Sequence, residues 1–198
     1  MKLHDWQETQ KQQKGRLQGG KNMGYEYYEK DGKTIKRELF NEEAEKEARI
    51  LSDANKIEEA QIKMEQNKYA EVKTILENIR STASSQVRKY YDELRRFKTQ
   101  IEQEQNKEEK FGMLLPTIKM LRAKIMYAKG RDVVTENFVN FINTHISSLK
   151  TSQDYEKFLL FYHHFEAVLG FLKYYEELKK HLLDTAKKAL RQQRQRRH

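Results

Sequence analysis

An all-α fold is predicted by three features of this 198-residue sequence. Only one proline, Pro116, interrupts it. Apolar residues from Asn41 onward recur at three- and four-residue steps, and Gly112 and Gly130 fall between such runs. The expected architecture is a compact five-helix bundle, with helices near 41–80, 84–109, 113–129, 133–149 and 152–190. A flexible N-terminal extension precedes it and a basic C-terminal helical tail follows. The corresponding domain layout is 1–40 as a disordered or hairpin extension, 41–183 as the helical bundle domain and 184–198 as the basic tail.

Each element has a local reason. Gln7 to Asn22 is rich in Gln, Lys and Gly with little to bury, which predicts disorder. Tyr25 to Leu39 alternates weakly around Asp31-Gly32, the signal of a short β-hairpin near 25–39. An isolated hairpin is marginal in water, so this one needs a partner surface. The first helix is expected to break near Asn67, where Tyr69, Val72, Ile75, Leu76 and Ile79 restart an apolar stripe. Ser84 or Ser85 can cap the second helix, and Gly112 separates it from the third. Pro116 then falls in the third helix's first turn, where its missing N–H costs nothing. Leu114, Ile118, Leu121, Ile125 and Ala128 make that helix's buried stripe. Gly130 closes it, Asp132 or Thr135 starts the fourth, and Thr151 or Ser152 opens the last. The last helix is apolar on more than one side from Tyr155 and Phe158 to Phe171 and Leu172, as expected of a central spine. Beyond Leu183 it turns cationic, with Lys187, Lys188, Arg191, Arg194, Arg196 and Arg197.

The formal charge of +9 is unevenly placed. Asn41 to Thr82 is acid-rich, whereas Ala83 to Thr135 and the carboxy-terminal end carry the surplus. Between Gly112 and Arg131 stand five basic residues and no acid. Lys119, Arg122 and Lys129 run up one flank of the third helix. Lys124 and Arg131 run up the other, with Tyr127 between them. With no acid in reach along that helix, the five cations repel one another unless a partner offsets them. An extended polyanion does so phosphate by phosphate, without any base being read. A second stripe holds Arg88, Tyr91 and Arg95, with Lys89 and Arg96 beside them; arginine and tyrosine together suit phosphate and base or sugar. The plainer reading of this second stripe is pairing with Asp92 and Glu93 within the helix.

Catalysis is not expected. Cysteine is absent, which excludes thiol chemistry and disulfides. Phosphate-cradling glycine loops, Gly-x-Ser-x-Gly and His-Glu-x-x-His are missing too. His163-His164 with Glu166 is the most tempting cluster, but adjacent residues point to different sides of a helix. One histidine is expected in the core and the other at the surface. His4-Asp5 lacks the other ligands of a metal site. No cofactor or metal is therefore expected. Neither a secretion signal nor a run of about 18 apolar residues is found, which predicts a cytoplasmic protein without membrane association.

Two stretches carry a resemblance. Ser84-Ser85-Gln86-Val87-Arg88-Lys89-Tyr90-Tyr91 is followed by Glu93-Leu94-Arg95-Arg96. Leu115-Pro116 leads to Lys124-Ile125-Met126-Tyr127-Ala128-Lys129-Gly130-Arg131, and an aromatic-rich helix from Tyr155 to Tyr175 comes after. In this order they resemble the small all-helical subunit, the second Csm subunit, of type III-A CRISPR interference complexes. The resemblance spans roughly Lys56 to Tyr175. It implies a five-helix bundle that stacks in more than one copy along crRNA and target RNA, beside the backbone and large subunits, while other subunits carry catalysis. By matching position, Lys119, Arg122, Lys124, Lys129 and Arg131 become candidates for RNA contact, followed by Arg88 and Arg95. Arg131 has a rival role, tying the helix end to a carboxylate of its own bundle. The alternatives are the small subunit of a type III-B complex, or a basic helical homodimer or ribosome-associated scaffold.

Overall fold

A computed structural model describes residues 24–196 of the chain. The disorder expected for Gln7 to Asn22, and the His4-Asp5 pair, lie outside the described residues. Those residues form helices α1 (Glu42–Ser52), α2 (Ala54–Glu65), α3 (Tyr69–Glu77), α4 (Ser84–Glu102), α5 (Lys107–Lys119), α6 (Leu121–Gly130), α7 (Glu136–Ser147) and α8 (Tyr155–Gln195), with a 3-10 turn at Ser152–Asp154 before α8. The all-α class holds, but the five-helix count does not.

The extra segments come from backbone breaks that apolar spacing does not reveal. Asp53 takes a left-handed conformation, φ 56°, and splits α1 from α2. Asn67, φ 58°, makes the expected break before α3. The second predicted helix stops at Glu102, and Asn106 starts α5 by accepting the Glu109 N–H at 3.2 Å. Gly112 and Pro116 are consequently inside α5, not at a boundary and not in a first turn. A side chain at Gly112 would meet Ser152 Cβ at 2.9 Å, so close packing on the 3-10 turn is what that glycine permits. Pro116 has no N–H for the carbonyl four residues back. One turn later α5 gives way to α6 at Met120, whose helical dihedrals keep the two segments in one irregular rod. Gly130 is still helical, and the positive φ that turns the chain belongs to Asp132. The start of α7 is capped across the fold, because Thr82 Oγ1 accepts the Thr135 N–H at 2.9 Å. Thr151 and Asp154 form a reciprocal capping box that opens the last helix, in line with the sequence.

α8 is the spine, lying against α1 to α5 along its length. Phe158, Phe161 and Phe165 are fully buried on it. Ile118, Leu121 and Ile125 are fully buried on the α5–α6 rod, Phe111 and Leu115 join them, and Leu114 and Ala128 pack at the edge.

Residues 24–40 are a docked strap and not a flexible extension. The turn at Asp31-Gly32 forms, with Gly32 at φ 68° and the Asp31 carboxylate accepting from the Lys33 and Thr34 N–H groups. The expected hairpin reduces to a single antiparallel bridge between Tyr28 and Ile35. The partner surface is the bundle itself. The Tyr25 N–H donates to the Thr144 carbonyl at 3.1 Å, and Tyr27 and Leu39 are buried in the core. The Tyr27 hydroxyl pairs with His145 Nδ1 at 2.7 Å, and His164 Nδ1 donates to the Leu39 carbonyl at 2.6 Å. His145 is sandwiched between Tyr25 and Phe161, with ring centroids 4.1 and 4.5 Å away. At Gly24 a Cβ would lie 2.7 Å from Ser148 Cα, a backbone atom that cannot swing aside. Gly24→Ala is expected to lower the melting temperature by roughly 2–8 °C through strain of about 1–2 kcal/mol. Gly130→Ala, with nothing within 4 Å of the added methyl, should raise it slightly. Differential scanning calorimetry of the two variants checks both signs.

Burial holds both strap-binding histidines below the ordinary imidazole value; neighbouring His164 pushes His145 further down, while for His164 the Leu39 carbonyl and Glu43 pull up and Lys36 pulls down. Loss of solvation, with Glu43 adjacent, pushes the Glu47 carboxyl the opposite way, up to about 7. The folded state thus binds fewer protons at the two histidines than the unfolded chain, so their contribution fades as pH falls below about 6.5. Glu47 opposes this, because a raised carboxyl favours the folded state as pH falls from 7. Hydrogen-exchange protection of residues 24–39 is expected to drop severalfold between pH 7.5 and 5.5. Glu47→Gln, which removes the opposing carboxyl, should steepen that drop.

Candidate nucleic-acid interface

The stripe of Ile118, Leu121 and Ile125 turns the rest of the α5–α6 rod outward. Lys119, Arg122, Lys124 and Arg131 are exposed and Lys129 is half-buried. The two predicted rows reach two different neighbours. Lys124 turns toward α4, where its ammonium pairs with Glu93, and the Tyr90 hydroxyl donates to its carbonyl at 3.4 Å. Lys119 and Arg122 instead line a shallow groove shared with Asn143, Ser147 and Lys150 near the end of α7, together with Met120, Met126 and Ile146. Two polar atoms in that wall, Asn143 Oδ1 and Ser147 Oγ, are buried without a hydrogen-bond partner among the described residues.

Charge compensation is partial, and it comes from other helices. Besides Lys124, Lys129 lies 3.7 Å from Glu136 at the start of α7. The sequence shows no acid along the helix, yet folding brings two carboxylates to its flanks. Lys119, Arg122 and Arg131 have no ion-pair partner among the described residues. Arg131 does not tie the helix end to a carboxylate. Its guanidinium sits 5.7 Å from the ring centroid of Tyr127, which is 69% exposed.

On α4 the plainer reading holds for two cations. Arg88 lies 4.0 Å from Asp92, and Arg95 Nη2 lies 3.2 Å from Asp92 Oδ1, an ion pair without hydrogen-bond alignment. One carboxylate thus serves two arginines, and Glu93 serves Lys124 instead of its own helix. Ser85, Arg88, Lys89, Asp92, Arg95 and Arg96 line a second groove, walled by polar and charged side chains and their aliphatic stems. Tyr91 is not part of it. It faces the core, with its hydroxyl 2.7 Å from that of Tyr162 and donating to Glu166 at 2.9 Å. Burial and these two partners push the Tyr91 hydroxyl well above its ordinary value. Its spacing with Arg88 was legible, but a residue between two faces can turn either way. His164 is buried while His163 is at the surface, 3.6 Å from Glu166, as adjacent helix positions require.

A family model described as Csm2 Type III-A matches residues 65–178. The chain belongs to the Csm2 family. The matched segment runs from the end of α2 to the twenty-fourth residue of α8 and contains both sequence motifs and all seven candidate residues. Csm2 proteins are structural small subunits of type III-A CRISPR complexes, so this Csm2 chain associates with other Csm subunits. The strap, α1, nearly all of α2 and the end of α8 lie outside the match. No curated protein and no solved structure matches the chain. Among the described residues, no helix is long and apolar enough to cross a membrane, and no group of three His, Asp or Glu residues is placed to hold a metal ion.

Tyr91→Phe is expected to cost about 1 kcal/mol of stability, the worth of the lost hydroxyl contacts. It should leave affinity for RNA unchanged, because the ring and its neighbours stay inside. Chemical denaturation and filter binding on the same variant check the two halves.

Proposed function

We propose that this Csm2 chain holds the crRNA–target RNA duplex by its sugar-phosphate backbone, without sequence preference, cofactor or metal. The observation that carries this reading is the set of cations without carboxylate partners among the described residues, Lys119, Arg122 and Arg131, on a rod fixed by three fully buried residues. Fixed like charges without counter-charges favour binding of a polyanion, since each phosphate contact releases condensed counterions. Lys129 reinforces the site, paired at 3.7 Å with the exposed Glu136 that a phosphate can displace, because such pairs contribute little; Lys124 stands beside it, its charge shared with Glu93, a carboxylate only 12% exposed. Arg88 and Arg95, sharing Asp92, keep a net positive charge on the α4 side. Tyr127, exposed beside Arg131, offers a ring on which a sugar or base can rest.

Sequence-independent grip suits a subunit whose target changes with every guide, where base pairing supplies specificity and the protein reads backbone shape. In the assembled complex, copies of the chain stand beside the backbone and large subunits in the cytoplasm, and cleavage belongs to those partners. The double reversal Lys119→Glu with Arg131→Glu is expected to weaken binding about ten- to a hundredfold for every RNA sequence tested. It should also reduce the slope of log affinity against log salt by about one to two. Unchanged RNA affinity in a correctly folded variant would sink the proposal and favour a scaffold that contacts protein alone.

A further inference from the structure

The last turns of α8 lie beyond both the family segment and the core. Leu182 and Ala186 are its last buried side chains, yet the helix continues to Gln195. From Arg191 every side chain is exposed, and at 1.5 Å per residue the stretch to Gln195 projects about 7 Å. Asp184 is the last acid of the chain, and Lys187, Lys188, Arg191, Arg194 and Arg196 follow it. Lys187, Arg191 and Arg194 recur at four- and three-residue steps on one face, where like charges destabilise a helix. Attraction to the helix dipole accounts for Arg194 in the last turn but not for the cations before it. Among the described residues, Lys187 alone of the five has a carboxylate nearby, Glu77 at 3.5 Å.

The base of this projection adjoins the α4 end of the basic surface. Ser84, the first residue of α4, donates to Glu176 of α8 at 2.9 Å, and Lys187 pairs with Glu77, the last residue of α3. Exposed Arg80 stands in the connection between them. Glu176 and Lys187 are about 17 Å apart along the axis of α8. Arg80 thus stands in the chain between Glu77, which Lys187 reaches, and Ser84, which Glu176 reaches, one exposed cation between the start of α4 and the base of the projection. No large apolar side chain is exposed on α8 after Tyr174, so the projection lacks the apolar centre that a protein interface is built around.

We propose that the end of α8 is a second RNA-binding element, which takes the phosphates of the strand just beyond the stretch held by α4–α6. It rests on the proposed function in sharing RNA as the ligand, but not in sharing residues. The triple variant Lys187→Gln, Arg191→Gln and Arg194→Gln keeps the helix-forming side chains and removes the charge. In the full chain, titrated with RNAs of increasing length, it is expected to bind short RNAs as the wild type does. Long RNAs should bind about tenfold more weakly and with a salt slope reduced by about two, at an unchanged melting temperature. Equal binding of all lengths by the triple variant and the wild type overturns the proposal. So does a variant that keeps its RNA affinity but is lost from the assembled complex, which would make the projection a protein contact. Lys119→Glu with Arg131→Glu, run in parallel, weakens RNAs of every length. If that pair is silent while the triple variant fails on long RNAs, the α6 reading falls and the α8 element stands.

Discussion

Phe158, Phe161 and Phe165 line the buried face of α8, and every surface described above takes its position from the rings packed there. Phe111 of α5 meets Phe158 at a centroid distance of 5.5 Å, Phe141 of α7 meets Phe165 at 5.0 Å, and Tyr91 of α4 meets Phe165 at 5.8 Å. His145 lies flat on Phe161 and carries the strap with it. Burying rings of this size supplies most of the driving force for closing a helical core. α6 contributes no ring to this stack and is held by Leu121 and Ile125, so its cations are carried by a short segment whose placement is inherited from α5 and α7.

Electrostatics then works against that placement rather than for it. Five cations lie between Gly112 and Arg131, along the rod and its cap, and the fold returns two carboxylates to them, Glu93 and Glu136. The exposed Lys129–Glu136 pair recovers little free energy in water, whereas Glu93, largely covered, takes up the charge of Lys124 alone. The rod stays where it is because apolar burial outweighs the residual repulsion, which is how a binding surface comes to be held in an unfavourable charge state. Lys119 and Arg122 line a groove with Met120, Met126 and Ile146, whereas Lys124 faces Glu93 of α4, which gives the two flanks different chemistry.

What the sequence made legible followed from periodicity. The all-α class, the stripe Ile118, Leu121, Ile125, the central place of α8, the break at Asn67 and the split fate of His163 and His164 are consequences of 3.6-residue spacing. What was illegible followed from contacts distant in the chain or from backbone conformation. Gly112 and Pro116 resemble boundary residues, but Gly112 is small because Ser152 crosses it, forty residues away in sequence. Asp53 breaks a helix in a left-handed conformation to which its neighbours give no clue. Lys124 looked unpaired because Glu93 is thirty-one residues away, and Tyr91 looked surface-facing because its partners Tyr162 and Glu166 are on another helix. The strap was read as loose because nothing in Tyr25 to Leu39 announces the histidines that receive it.

The contact between Gly112 and Ser152 reaches further than local packing. Backbone touches side chain there with no spare volume, and the proline one turn on leaves the rod a weak point just before Met120. Steric pressure at that crossing would slide or tilt everything downstream as a unit, changing the alignment between charges of α6 and those of α4 while altering no charge at all. Residues remote from the nucleic acid could in this way tune how far apart the two rows of contacts fall, much as the pitch of a thread is set at the die rather than on the screw.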